Sequence, residues 1–247
     1  MIKMFKNIIF VGDIHGDINQ IAYHQKLHKL TDTVYIQLGD FGIGFKNQFK
    51  EKQTLDYFNK IFKLKGNFLY AARGNHDCPA YFHGDFDTTN IKLVPDYTVH
   101  TFNVNEVNLN ILFMGGAVSI DRMTRKGYIT NGEMGMDYWK GEEFLFNRDK
   151  LKIYENIDIV ITHTAPDICL PIGTSDIVEY YKTIDSCLEE DLKIERDLLT
   201  QTYNILKENN SLKYWFYGHF HNTYQDIKND TKFICVDMNR FYSVQYF

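Results

Sequence analysis

Five times along this chain an apolar run of strand character stops, and the residues just past the stop are of the kind that bind cations. The runs end at Asp13-Ile14-His15, Gly39-Asp40, Arg73-Gly74-Asn75-His76-Asp77, Thr162-His163 and Gly218-His219-Phe220-His221. Between the first three runs lie two stretches with helical spacing. Residues 18–30 carry Ile21, Leu27 and Leu30, and Leu55, Phe58, Ile61, Phe62 and Lys65 mark one face of the second. The order β-α-β-α-β predicts a parallel sheet with helices on its faces. In such sheets ligands bind beyond the carboxyl ends of the strands, which is where Asp13, His15, Asp40, Asn75 and His76 fall. Any one of these stretches read alone is an ordinary turn or a hydrogen-bonded histidine. Their repeated placement at strand ends is what points to a site.

The texture changes at residue 91. Residues 91–94, 97–104 and 107–114 alternate apolar and polar and read as antiparallel strands. Residues 117–141 hold Gly127, Gly132, Gly135, Met123, Met134 and Met136 and show no clean period. A long aperiodic segment inside a compact domain is usually functional or disordered, so a flap beside the site is expected at 117–141. Its Arg122 and Arg125 are candidates to bind phosphate oxygens, which guanidinium does bidentately. A solvated loop whose arginines pair with Glu133 or Asp137 is the competing reading. Further on, 142–154 and 184–209 read as helices, 157–162 and 213–217 as strands, 224–236 as a hairpin turning at Asn229-Asp230, and 240–247 as a last strand. Asp17 is the expected N-cap of the first helix.

With 247 residues the chain fits one large domain, 1–247. Hydrophobic residues make up 44% and net charge is −5, so a full core is expected and an extended nucleic-acid surface is not. The four cysteines form no C-x-x-C pair and read as reduced thiols. No apolar run approaches the roughly 20 residues of a membrane span. A cytoplasmic protein is expected.

The strand-end groups Asp13, His15, Asp40, Asn75, His163, His219 and His221 comprise two carboxylates, one amide and four imidazoles. That donor set suits two divalent cations of borderline hardness, with manganese first and iron or zinc as alternatives. Two metals about 3.5–4 Å apart can clamp both oxygens of an in-line displacement at phosphorus. Asp40 is the natural bridging carboxylate.

The series D-x-H, G-D, G-N-H-D, H and G-H-x-H, from Asp13 to His221, resembles the calcineurin-like metallophosphoesterase superfamily. The Gly39-Asp40-Phe41-Gly42 loop, with 115–122 and 138–143, is similar to little-characterised microbial and phage members. The resemblance implies an α/β fold, a four-layer α/β/β/α sandwich with mixed sheets and a dinuclear centre at one edge. By position it gives Asp13, His15 and His221 to one metal, Asn75, His163 and His219 to the other, and Asp40 to the bridge. It further implies a metal-activated hydroxide attacking phosphorus, His76 as general acid and Asp77 as the acid that orients it. Arg73 precedes the G-N-H-D stretch as in the phosphoprotein phosphatases, which makes it a candidate catalytic and phosphate-binding residue. The loop 41–45 lacks the arginine which that branch carries, so a phosphoserine/phosphothreonine phosphatase is disfavoured.

The expected substrate is a small-molecule or nucleotide phosphate ester. Hydrolysis of phosphodiesters, as a nuclease acting on nucleotides or short oligonucleotides, is the nearest alternative. A non-catalytic interaction protein on the same sandwich is the alternative from another class. Members of that kind typically lose ligand histidines or the acid, and here all are present.

Overall fold

The computed structural model of the chain describes residues 3–130, 138–171 and 176–244. Its elements in order are β1 (Met4–Phe5), β2 (Asn7–Val11), α1 (Asn19–Leu27), β3 (Thr33–Gln37), α2 (Gln48–Leu64), β4 (Phe68–Ala71), β5 (Ile91–Leu93), β6 (Thr98–Val104) and β7 (Val107–Met114). There follow α3 (Arg122–Thr130), α4 (Arg148–Lys152), β8 (Ile159–Thr162), α5 (Asp176–Ile184), α6 (Leu188–Asn209), β9 (Tyr214–Tyr217), β10 (Tyr224–Lys228), β11 (Thr231–Cys235) and β12 (Phe241–Ser243).

The strands form two mixed sheets. In the first, β2, β3, β4 and β5 run parallel in that order, and β12 adds antiparallel to β2. In the second the order is β1-β6-β7-β8-β9-β11-β10, with β7, β8, β9 and β11 parallel and the β6–β7 and β10–β11 pairs antiparallel. Strand periodicity sorts the side chains into layers. Ile8 and Phe10 of β2 enter the core between the sheets, where they meet Phe113, Ile161 and Phe216. Ile9 and Val11 point the other way, onto a cluster completed by Ile21 of α1 and Leu55, Phe58 and Phe62 of α2. On the far side Val160 and Trp215 pack with Leu199, Tyr203 and Leu206 of α6. The result is the α/β/β/α sandwich. Phe10 and Phe216 join its two sheets, with rings stacked at a centroid distance of 3.6 Å.

Four expectations need correction. Strand β5 pairs parallel with β4 and is no member of an antiparallel meander, because Ile91 and Leu93 complete the helix-side core of the first sheet. Residues 142–147 are not helical. The carbonyls of Glu142 and Glu143 accept from Arg73, and the Phe144 N–H donates to Glu195, so the groups a helix would pair internally are taken. The expected helix at 184–209 starts later, at Leu188, because Ile184 ends α5 and the Asp185 carboxylate accepts the Cys187 N–H between α5 and α6. Asp17 does not cap α1; its carboxylate holds the Asn19 and Gln20 side-chain amides instead. Within 117–141, residues 122–130 form α3, while 131–137, with Met134 and Met136, lie outside the described residues.

Candidate metal centre

Strands β2, β3, β4, β8 and β9 deliver Asp13, Asp40, Asn75, His163 and His219 from their carboxyl ends, as the sequence order predicts. His15 and His221 follow two residues after Asp13 and His219. The loops must turn sharply to do this. His15, Asp40, His219 and His221 all adopt positive φ, at 42°, 54°, 66° and 45°. That region is unfavourable for side chains with a Cβ, and such strain gathers at functional sites. Two glycines permit the crowding. A Cβ on Gly74 would strike the backbone and carboxylate of Asp40, and one on Gly218 would strike the Asp13 carboxylate.

The donor atoms converge. His221 Nε2 lies 3.2 Å from Asp13 Oδ2 and 3.1 Å from His15 Nε2. On the other side His163 Nε2 lies 3.2 Å from Asp40 Oδ1 and 3.0 Å from Asn75 Oδ1. Asn75 Oδ1 is also 3.0 Å from His219 Nδ1. The two oxygens of Asp40 reach different histidines, Oδ1 toward His163 and Oδ2 to within 3.9 Å of His15 Nε2. Two groups, Asp13/His15/His221 and Asp13/Asp40/His163, each have one donor atom per residue within 4.8 Å of the others.

Hydrogen bonds behind the donors fix their orientation. His163 Nδ1 donates to the Leu38 carbonyl at 2.8 Å, which leaves the Nε2 lone pair aimed at Asp40 and Asn75. Asn75 Nδ2 donates to Ser119 Oγ at 2.8 Å, so Oδ1 faces the histidines. The His219 and His76 N–H groups donate to Asp13 and Asp40. A lone pair and two oxygens pointing at one another repel unless positive charge sits among them, so the set fits a cation. The field agrees. Burial opposes charge on His163, but the Asp40 carboxylate outweighs it and moves the pKa up to about 10, so a proton on Nε2 answers the same field until a cation displaces it. Burial also opposes ionisation of Asp40, and His163 beside it nonetheless holds that carboxyl well below the usual range. Burial and then the His163 charge push His219 down to about 3.

Four other expected site residues have different surroundings from those anticipated. Arg73 is 3% exposed and donates to Asp96 and to the carbonyls of Gly115, Gly141, Glu142 and Glu143, which makes it a clamp on the loop 141–143 rather than a phosphate ligand. The Asp77 carboxylate accepts the N–H groups of Phe41, Gly42, Ile43 and Gly74, so it holds the loop after β3 and makes no bond to His76. Arg122 pairs with Asp185 at 2.6 Å and with Asp191. Arg125, 1% exposed, pairs with Glu142 at 3.0 Å and Asp121 at 3.0 Å and donates to Ser119 Oγ. Both flap arginines are therefore held by carboxylates. The sequence reading missed Ser119 and Glu142, which with Arg125 support Asn75. The resemblance of 115–122 and 138–143 to microbial and phage members of the superfamily was the available signal, since the pair joins those two stretches.

His76 lines a cavity of about 760 Å³ together with Asp40, Asn75, His219 and His221. Its ring stands edge-on to that of His15 at 5.3 Å.

A two-sheet sandwich whose parallel strands end in a nest of carboxylates, imidazoles and one amide defines a class of metal-dependent hydrolase scaffold. The family model described as calcineurin-like phosphoesterase matches residues 6–223, and the chain belongs to that family. It is a metal-dependent phosphoesterase, and membership implies a centre of two divalent cations, which the Asp/His clusters fit. Among solved structures, phosphopantetheinyl hydrolase from Mycobacterium tuberculosis is similar with a TM-score of 0.53 and 13% identity, over 99% of this chain and 97% of that one. A dimetal phosphatase from Danio rerio is similar with a TM-score of 0.50 and 10% identity, over 95% and 88%. At such identities the likeness is one of fold. A comparison with curated proteins found no match. Among the described residues no helix is long and apolar enough to cross a membrane.

Proposed function

We propose that the chain, acting as a single domain, hydrolyses phosphate esters of small molecules or nucleotides at a centre of two divalent cations, with manganese the preferred metal. Asp13, His15 and His221 would hold one cation and Asn75, His163 and His219 the other, with Asp40 shared. The observation that carries this reading is the convergence of these donors, with Asp40 Oδ1 and Oδ2 turned to different histidines. When bound, the cations supply Lewis acidity toward phosphoryl oxygens and lower the pKa of water.

The chain's own residues do the rest. Ser119, held by Arg125, keeps the Asn75 amide oxygen turned inward. Asp77 holds the loop 41–43 against Gly74, and so fixes Asp40 and Asn75 relative to each other. His76 adjoins Asn75, opens onto the cavity and stands outside both donor groups. That position suits proton donation to the leaving alcohol oxygen as its bond to phosphorus breaks, a role typically worth about 10²–10⁴-fold.

The test is the dependence of turnover on leaving group. His76→Ala with manganese should lose about 10²-fold or more on alkyl phosphates and much less on 4-nitrophenyl phosphate, at unchanged metal content. Equal losses on both would remove His76 from the role. Running 4-nitrophenyl phosphate beside its bis ester decides between monoesters and diesters.

A further inference from the structure

The cavity that exposes His76, His219 and His221 extends well past them. Its volume, about 760 Å³, is that of a site for a whole organic ligand, whereas a phosphoryl group alone would fill a small part. Its remaining walls come from α5, α6 and the segment after His163. Ile177 and Val178 of α5, Leu192 of α6, Leu170 and Phe220 supply apolar surface. Helix α5 buries none of its residues, and Ile177 is 51% exposed, so the helix presents apolar surface on this wall.

The charges on the same walls differ in how they are satisfied. Lys182 reaches Glu179 at 2.9 Å and Glu189 at 3.0 Å and is balanced by them. Asp121 is held by Arg125. Arg196 is not held in this way. Its Nε is buried with no hydrogen-bond partner among the described residues, and the carboxylate it pairs with, Asp167 Oδ1, is 3.8 Å away. The Arg196 side chain nevertheless lines the cavity and is 27% exposed, so an anion there meets a guanidinium that no carboxylate among the described residues holds at hydrogen-bond distance. Asp121, Glu179 and Glu189 on the same walls oppose a polyanion, so one discrete anionic group fits better than a nucleic-acid strand.

Resting on the phosphoesterase reading above, we propose that the substrate is an organic phosphate ester whose alcohol part has an apolar body and a second anionic group, with the body against α5 and the anion on Arg196. The specificity element is then α5 with Arg196 of α6, and the segment 117–141 contributes Ile120 and Asp121 to the wall.

Calorimetry on manganese-reconstituted full-length protein tests this with four non-hydrolysable probes: methylphosphonate, hexylphosphonate, 6-phosphonohexanoate and hexane-1,6-bisphosphonate. Hexylphosphonate should bind about tenfold or more tighter than methylphosphonate. One or both of the doubly anionic probes should gain about tenfold more, and which one gains identifies the second anion as carboxylate or phosphate. Arg196→Ala should erase the preference for a second anion, and Arg196→Lys should restore part of it. Ile177→Ser, at an exposed position of α5, should reduce the preference for hexyl over methyl. Four equal affinities in a wild type that hydrolyses 4-nitrophenyl phosphate would overturn the inference alone, as would an anion preference that survives Arg196→Ala. A wild type that takes up manganese but hydrolyses no ester would overturn the phosphoesterase reading, and this inference with it.

Discussion

Replacing Asp77 with asparagine separates two roles for the acid that follows His76. In the structure its Oδ1 accepts from Gly42 at 2.7 Å and Ile43 at 3.1 Å, and its Oδ2 from Phe41 at 3.0 Å and Gly74 at 2.8 Å. The residue is fully buried. Asparagine keeps one oxygen and turns an NH₂ toward the other two donors, so two of the four bonds are lost. Each buried donor left unsatisfied costs about 1–3 kcal/mol, which puts Asp77→Asn at roughly 2–6 kcal/mol. That is a large share of the 5–15 kcal/mol typical of a folded domain. Urea unfolding of the manganese-loaded protein reads the loss directly. Because the loop 41–43 and Gly74 flank Asp40 and Asn75, metal affinity should fall with stability, and turnover should fall to the same degree on good and poor leaving groups. A variant as stable as wild type that loses turnover only on poor leaving groups would refute the loop-holding role and return Asp77 to His76.

Arg125→Met should destabilise by about 3–5 kcal/mol, since it leaves Glu142 buried without its cation, and should weaken metal binding through Ser119 and Asn75; urea unfolding and metal titration check both. Phe10→Ala should cost about 3–5 kcal/mol in the same unfolding assay by opening the space beside Phe216 between the sheets. Burial raises the Glu195 carboxyl from 4.5 to about 7, although the Val118 and Phe144 N–H groups favour its charge. The folded protein therefore holds that proton more tightly than the unfolded chain, and the stabilisation is complete below pH 4.5 and lost as pH rises through 7. At about 1.4 kcal/mol per unit the contribution is on the order of 3 kcal/mol, and Glu195→Gln, whose carbonyl can accept both N–H groups, should flatten stability between pH 5 and 8.

The donors were legible because their placement follows from local pattern. An apolar run, a stop and a ligand residue repeat at Asp13, Asp40 and Asn75, and the parallel order puts strand ends together. The two-sheet layering was not read from periodicity; it entered through the family resemblance. The misreadings share a cause, which is tertiary capture of groups that local pattern assigns elsewhere. Residues 142–147 carry helical spacing, yet Arg73 takes their carbonyls. Arg122 and Arg125 are the arginines an aperiodic loop offers to phosphate, yet Asp185, Asp191, Glu142 and Asp121 hold them. Arg196 bears no local signature and Ser119 only its place in the stretch 115–122, because their roles arise from contacts with segments distant in sequence.

The central claim, that seven strand-end residues hold two cations sharing Asp40, is tested most directly by metal stoichiometry. Wild-type protein reconstituted with manganese and dialysed should retain two ions per chain by elemental analysis. Asp40→Asn, which removes the charge between His163 and His15, should retain less than one and lose nearly all phosphoesterase activity. Two ions and normal turnover in Asp40→Asn, or no more than one ion in the wild type, would contradict the account.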